Sequence, residues 1–151
     1  MFAAAASYSG LLHTRYQGGP VAGPQLIQDL LGDFGEDPSA LWGDLRRHGD
    51  SWAAHNPYDL APALRGVALF VSVGSGRPGP LDGPSGNRQG QPIEQALRPQ
   101  SLAFVERLRQ LSIPVRFDAY DPGTHDWPYW QRELHRSLPL LLDALHRRSE
   151  G

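Results

Sequence analysis

Val67 to Val73 (VALFVSV) is a run of apolar, mostly β-branched or aromatic residues without polar alternation. A strand with one wet face alternates; one that does not is covered on both faces, and such strands belong to parallel sheets held between layers of helix. The rest of the chain must therefore supply partner strands and two helical layers. Phe2 to Ser9 (FAAAASYS) reads as a second strand, its small side chains suited to close packing under helices, and Val115 to Tyr120 (VRFDAY) as a third. Helical stretches are expected around Pro24 to Leu31 and Pro38 to His48, the latter with Pro38 in its first turn. A third is expected over Ile93 to Leu111, which Pro99 should break or restart, and a fourth from about Pro128 to Arg148. Trp52 and His55-Asn56-Pro57 mark an irregular connection, because proline disfavours helix at Asn56. The alternation predicts an α/β fold of about three parallel strands flanked by helices.

Composition narrows the chemistry. The chain has 151 residues, enough for one domain, and a formal net charge of −2, so no broad basic footprint points to nucleic acid. There are no cysteines, which removes thiol nucleophiles, disulfide scaffolds and cysteine-ligated zinc. His13, His48, His55, His135 and His146 show neither an i, i+4 histidine pair nor an H-E-x-x-H pattern, so no metal site is expected. No segment approaches the roughly 20 apolar residues of a membrane helix. The apolar run Phe2 to Ala6 is too short for a signal-peptide core and has no basic residue before it. A chain that opens directly in a buried strand gives the expectation that Met1 follows a cut.

Ligands of open parallel sheets bind beyond the carboxyl ends of the strands. After the strand Val67 to Val73 comes a long loop, Gly74 to Pro92, with six glycines and four prolines, closed by Glu94. After the third comes a short one, with His125 inside G-T-H-D-W-P-Y-W (Gly123 to Trp130). An acid and a histidine on successive strand ends are two-thirds of a nucleophile, base and orienter triad, in the chain order nucleophile, acid, histidine. Asp82 is a rival acid in the same loop, and Asp121 and Asp126 lie near His125 in sequence. Trp127, Tyr129 and Trp130 can wall an acyl or sugar pocket, or anchor the last helix in the core. No serine sits in a G-x-S-x-G elbow: Ser9 has Ser7 and Leu11 at the flanking positions, and Ser7, Ser72 and Ser75 fare no better. Gly74 to Gly79 matches G-x-G-x-x-G, but Pro78, Pro80 and Pro84 prolong a loop where a dinucleotide fingerprint must open a helix.

With these residues in view, the chain resembles, over nearly its whole length, the esterase family of α/β-hydrolases that includes the secreted mycolyltransferases of actinobacteria. Phe2 to Gly10, Leu41-Trp42-Gly43, Trp52 with Asn56-Pro57, the glycine-rich loop after Val67 to Val73 and G-T-H-x-W-x-Y-W follow in the family's order. The resemblance implies that His125 is the catalytic histidine and Glu94 its acid, whose ten-residue spacing to Phe104 fits better than Asp82 does. It also implies that Trp127 lines the acyl-acceptor region. The family's serine, elbow and oxyanion donors belong to an amino-terminal half that this chain lacks.

The expectation is then that residues 1–151 are the C-terminal half of an α/β-hydrolase fold, part of a serine esterase or acyltransferase. It would act on a small-molecule or lipid ester through an acyl-enzyme, with water or a sugar hydroxyl as acceptor and no cofactor. The alternative is a non-catalytic fragment, or a binding or assembly module acting through the exposed edge of its first strand. Family membership implies export, while the sequence carries no export signal, so localisation is left open.

Overall fold

The computed structural model describes residues 2–84 and 86–149, the last two as backbone; Met1, where the sequence suggests a cut, lies outside them. Three parallel strands form one sheet in the order β1 (Ala4–Tyr8), β2 (Ala68–Val73), β3 (Arg116–Ala119). Ala4 faces Ala68 across the first pair and Phe70 faces Arg116 across the second. The central strand is the one the sequence marked as doubly covered, and its residues from Leu69 to Val73 are all buried.

The two faces of β2 divide its side chains as the pleat requires. Leu69 and Val71 pack with Phe104, Val105 and Leu108 of α5 (Gly90–Gln110), and Val73 with Ala96 and Leu97 of the same helix and Leu26 of α1 (Gly23–Asp33). The opposite face is covered by α6 (Trp127–Ser149), which lies over β1 and β2. There Phe70, 1% exposed, meets the Tyr8 ring at 6.0 Å, and the Tyr8 hydroxyl hydrogen-bonds Ser137 Oγ of α6 at 2.6 Å. Full burial of one such phenylalanine contributes about 1.5–3 kcal/mol.

Three expectations are corrected. The helix expected over Pro38 to His48 is only the turn α2 (Ser39–Trp42), because Gly43 takes a φ of 72° and ends it. The connection around Trp52 is more helical than expected: α3 (Gly49–Ala54), α4 (Pro57–Leu60) and a 3-10 turn (Ala61–Leu64) follow one another. Asn56 is indeed extended, but Pro57 then serves as a first-turn residue, where its missing N–H costs nothing. Finally, Pro99 does not break α5, which runs unbroken from Gly90 to Gln110. Its ring instead fills the space beside Gly19, where an added Cβ would stand 2.8 Å from Pro99 Cγ.

Candidate active site

The carboxyl ends of all three strands converge on one carboxylate. Glu94 stands near the start of α5, after the long loop that follows β2, and is fully buried. Its Oε2 lies 2.9 Å from His125 Nδ1, on the loop between β3 and α6. Its Oε1 accepts from Ser9 Oγ at 2.6 Å, just past β1, and from the Gly74 amide, just past β2. A carboxylate only accepts, so the His125 proton sits on Nδ1 and Nε2 is left as an acceptor. The imidazole side chain is 24% exposed, against none for the acid. The imidazole is thus held from behind by a dry carboxylate and partly exposed in front, an arrangement in which an imidazole can take a proton from a nucleophile.

The backbone is shaped for this. Gly74 must lack a side chain: an added Cβ would meet the Gly123 carbonyl at 2.5 Å and Glu94 Oε1 at 3.0 Å. Ser9 adopts a φ of 53°, a conformation that costs a non-glycine residue about 1–3 kcal/mol. Tyr120 Oη is buried beside the pair and next to the Ser9 hydroxyl, and burial first, then the Glu94 charge, push its ionisation upward.

The rival acids have other employment. Asp82 binds the loop that carries His125: it accepts from Thr124 Oγ1, from Tyr129 Oη at 2.9 Å and from the Gly79 amide at 2.6 Å. Asp121 pairs with Arg77 and Ser75 Oγ, and Asp126 Oδ1 accepts from the Trp127 amide at 2.7 Å. Asn87 ties the two loops a second time, accepting from the Gly90 amide at 2.8 Å and donating to the His125 carbonyl at 3.0 Å. Residues 74–79 stay in the loop and open no helix, as the prolines require.

Sequence reasoning did not anticipate Ser9 as a partner of Glu94, the Gly74 amide, or the Asp82 and Asn87 clasps. Only Asn87 left a local signal, an asparagine shortly before a helix start, where its side chain can satisfy an orphan amide.

Asp82 yields a pH prediction. Burial pushes its carboxyl up, but the hydrogen bonds from Thr124, Gly79 and Tyr129 together outweigh it and hold it below the ordinary value. A carboxylate depressed in the fold contributes stability above its unfolded value, about 4, that is lost as pH falls through the folded one. Thermal melts run downward in pH from about 5 should lose stability in this window, and Asp82→Asn should flatten that acid slope. An unchanged slope in the variant would show that the clasp contributes nothing.

Beside the imidazole lies an aromatic wall. Trp130 meets the His125 ring edge-on at 4.7 Å, and Trp127, 76% exposed, meets Trp130 at 5.3 Å. Tyr8, Trp127, Trp130, Gln131 and Leu134 line a groove of about 430 Å³. Tyr129, by contrast, is a core anchor, fully buried and stacked on Tyr120.

A family profile described as "Putative esterase" matches residues 1–141. The chain belongs to this esterase family. Among curated relatives, the diacylglycerol acyltransferase/mycolyltransferase Ag85B of Mycobacterium intracellulare is 31% identical over 150 residues, covering 95% of this chain and 44% of that protein. Ag85A of Mycobacterium gordonae is 31% identical over 129 residues, covering 82% of this chain and 36% of its own length. The esterase-family chain thus spans less than half of these relatives. The crystal structure of Mycobacterium tuberculosis MPT51 superposes with a TM-score of 0.71 at 21% identity, over 95% of this chain and 51% of that one. That likeness establishes an α/β-hydrolase-type fold for the three-stranded sheet.

Proposed function

We propose that this chain carries the base and orienter of a serine esterase or acyltransferase, with His125 as general base, Glu94 as its orienter and Trp127 lining the acyl-acceptor groove. The observation that carries the reading is the buried Glu94 holding His125 Nδ1 at 2.9 Å while the imidazole stays partly exposed. In the reaction, Nε2 takes the proton of a serine hydroxyl as its oxygen attacks the ester carbonyl. The imidazolium returns that proton to the departing alcohol, leaving an acyl-serine. A water or sugar hydroxyl then gives its proton to Nε2 and attacks the acyl carbon, and the imidazolium returns that proton to the serine oxygen as its acyl bond breaks. The relatives' names, diacylglycerol acyltransferase/mycolyltransferase, favour a lipid acyl ester as donor.

The serine is supplied from outside these 151 residues. Among the described residues no serine hydroxyl hydrogen-bonds His125; Ser9 is committed to Glu94 and Ser75 to Asp121. The shape of the sheet supports the same reading. On its β3 side α6 is tied by charge, with Arg136 on Asp118 at 2.5 Å and Arg132 over the Tyr120 ring at 4.3 Å. Its exposed apolar residues, Trp127, Leu134, Leu142 and Leu145, lie on another stripe. The groove on that stripe is shared with Tyr8 of β1, whose outer edge has no strand partner among the described residues. A further strand added to β1 would lie beside this stripe and at the mouth of the site.

The test compares hydrolysis of p-nitrophenyl butyrate by the chain alone and by the chain fused behind the remaining amino-terminal part of the Mycobacterium intracellulare relative. The fusion should turn over, with Trp127→Ala raising KM more than it lowers kcat, while the chain alone stays at background. Equal turnover by the unfused chain, or a cooperatively melting but inactive fusion, would overturn the reading. A discrete oligomer of the inactive chain would favour assembly through the β1 edge instead.

A further inference from the structure

Among the described residues only two that are not glycine adopt a positive φ, Ser9 at 53° and Ser112 at 56°. Ser112 has an ordinary reason: it ends α5, where its amide bonds the Arg109 carbonyl and the next amide bonds Leu108. Ser9 ends no helix. Its amide makes the last rung of the β1–β2 ladder, to the Ser72 carbonyl at 2.8 Å, and the chain then turns left-handed before Gly10. Glycine would take that conformation without strain, so a serine here has a use for its hydroxyl. The hydroxyl is 2.6 Å from Glu94 Oε1, in a residue only 3% exposed.

From this we infer that Ser9 is a positioning residue for the Glu94–His125 pair: its hydroxyl, with the Gly74 amide, pins one carboxylate oxygen so that the other meets His125 Nδ1. Two donors on Oε1 fix the carboxylate's rotation about its terminal bond, a torsion that is otherwise broad. A fixed carboxylate holds the imidazole in the tautomer with hydrogen on Nδ1 and a free Nε2. In this role Ser9 touches neither substrate nor His125 and acts through Glu94, while its hydroxyl also lies beside Tyr120. The catalytic meaning rests on the proposed function, but the coupling itself does not.

The experiment therefore reads the imidazole rather than turnover. The 151-residue chain is labelled with ¹⁵N-histidine, and the His125 ring nitrogens are compared among wild type, Ser9→Gly, Ser9→Ala and Glu94→Gln at neutral pH. The wild type should show the Nδ1–H form, and both Ser9 variants should shift toward a mixture with Nε2–H. Ser9→Gly should do so while melting at or above the wild-type temperature, because it relieves the positive φ. A folded Ser9→Gly chain with a wild-type His125 spectrum, beside a changed spectrum in Glu94→Gln, would overturn the proposal and leave the pair intact. Failure of Ser9→Gly to fold would also overturn it, in favour of a structural role. An unchanged spectrum in Glu94→Gln would instead remove the pair on which the proposed function stands.

Discussion

Glu94→Gln should lower the esterase turnover of the fused enzyme by about 10⁴-fold with little change in KM, the scale seen when a triad acid is made an amide. The carboxylate accepts on both oxygens, from Ser9 and Gly74 on one and from His125 on the other. An amide has a single oxygen. With that oxygen held by the two donors behind it, the NH₂ group faces His125 Nδ1, which must then accept, so the ring proton moves to Nε2. A protonated, neutral Nε2 cannot take the proton of an attacking hydroxyl. Glu94→Ala should be worse for stability, since it leaves the Ser9 hydroxyl and Gly74 amide buried and unpaired at about 1–3 kcal/mol each. Steady-state kinetics of the fused enzyme check the first effect. A Glu94→Gln enzyme within tenfold of wild-type kcat would place the orienting acid elsewhere.

Tyr129→Ala should be the most costly single change to the loop that presents His125. The ring is fully buried, stacked on Tyr120 with centroids 5.7 Å apart, and lies beneath the Arg132 guanidinium at 5.4 Å, while its hydroxyl donates to Asp82. Removing a buried aromatic ring costs about 3–5 kcal/mol, a melting-temperature loss on the order of 10 °C for a chain of this size. Tyr129→Phe keeps the ring and loses only the bond to Asp82, about 1–2 kcal/mol. Urea denaturation separates the two. A Tyr129→Ala loss under about 1 kcal/mol would mean that the ring is not an anchor of α6.

How far the sequence carries follows from which forces are local. Val67 to Val73 announced β2 because double burial leaves a compositional trace in the strand itself. The positions of Glu94 and His125, one just past the loop after β2 and the other in the loop after β3, were legible because a parallel sheet places its useful loops at the carboxyl ends of strands. The pairing of Glu94, rather than Asp82, with His125 came only from resemblance, since both follow the same strand and the distinction lies in which backbone amides the loop presents. Ser9 left no trace at all. Its partner is 85 residues away, and its left-handed backbone is the kind of local exception that sequence rules assign to glycine. Pro99 misled for a related reason: a proline inside a helix costs one hydrogen bond and a clash, and packing against Gly19 offsets part of that.

The proposed role of His125 and Glu94 is to serve a serine supplied from outside this chain. Labelling with a p-nitrophenyl alkylphosphonate, followed by peptide mass mapping, tests it most directly, because the reagent phosphonylates only a serine activated by a working base. No adduct is expected on the chain alone, one adduct per fused molecule on a serine of the added segment, and loss of that adduct in the fused His125→Ala enzyme. A stoichiometric adduct on Ser7, Ser9, Ser72 or Ser75 of the unfused chain would contradict it.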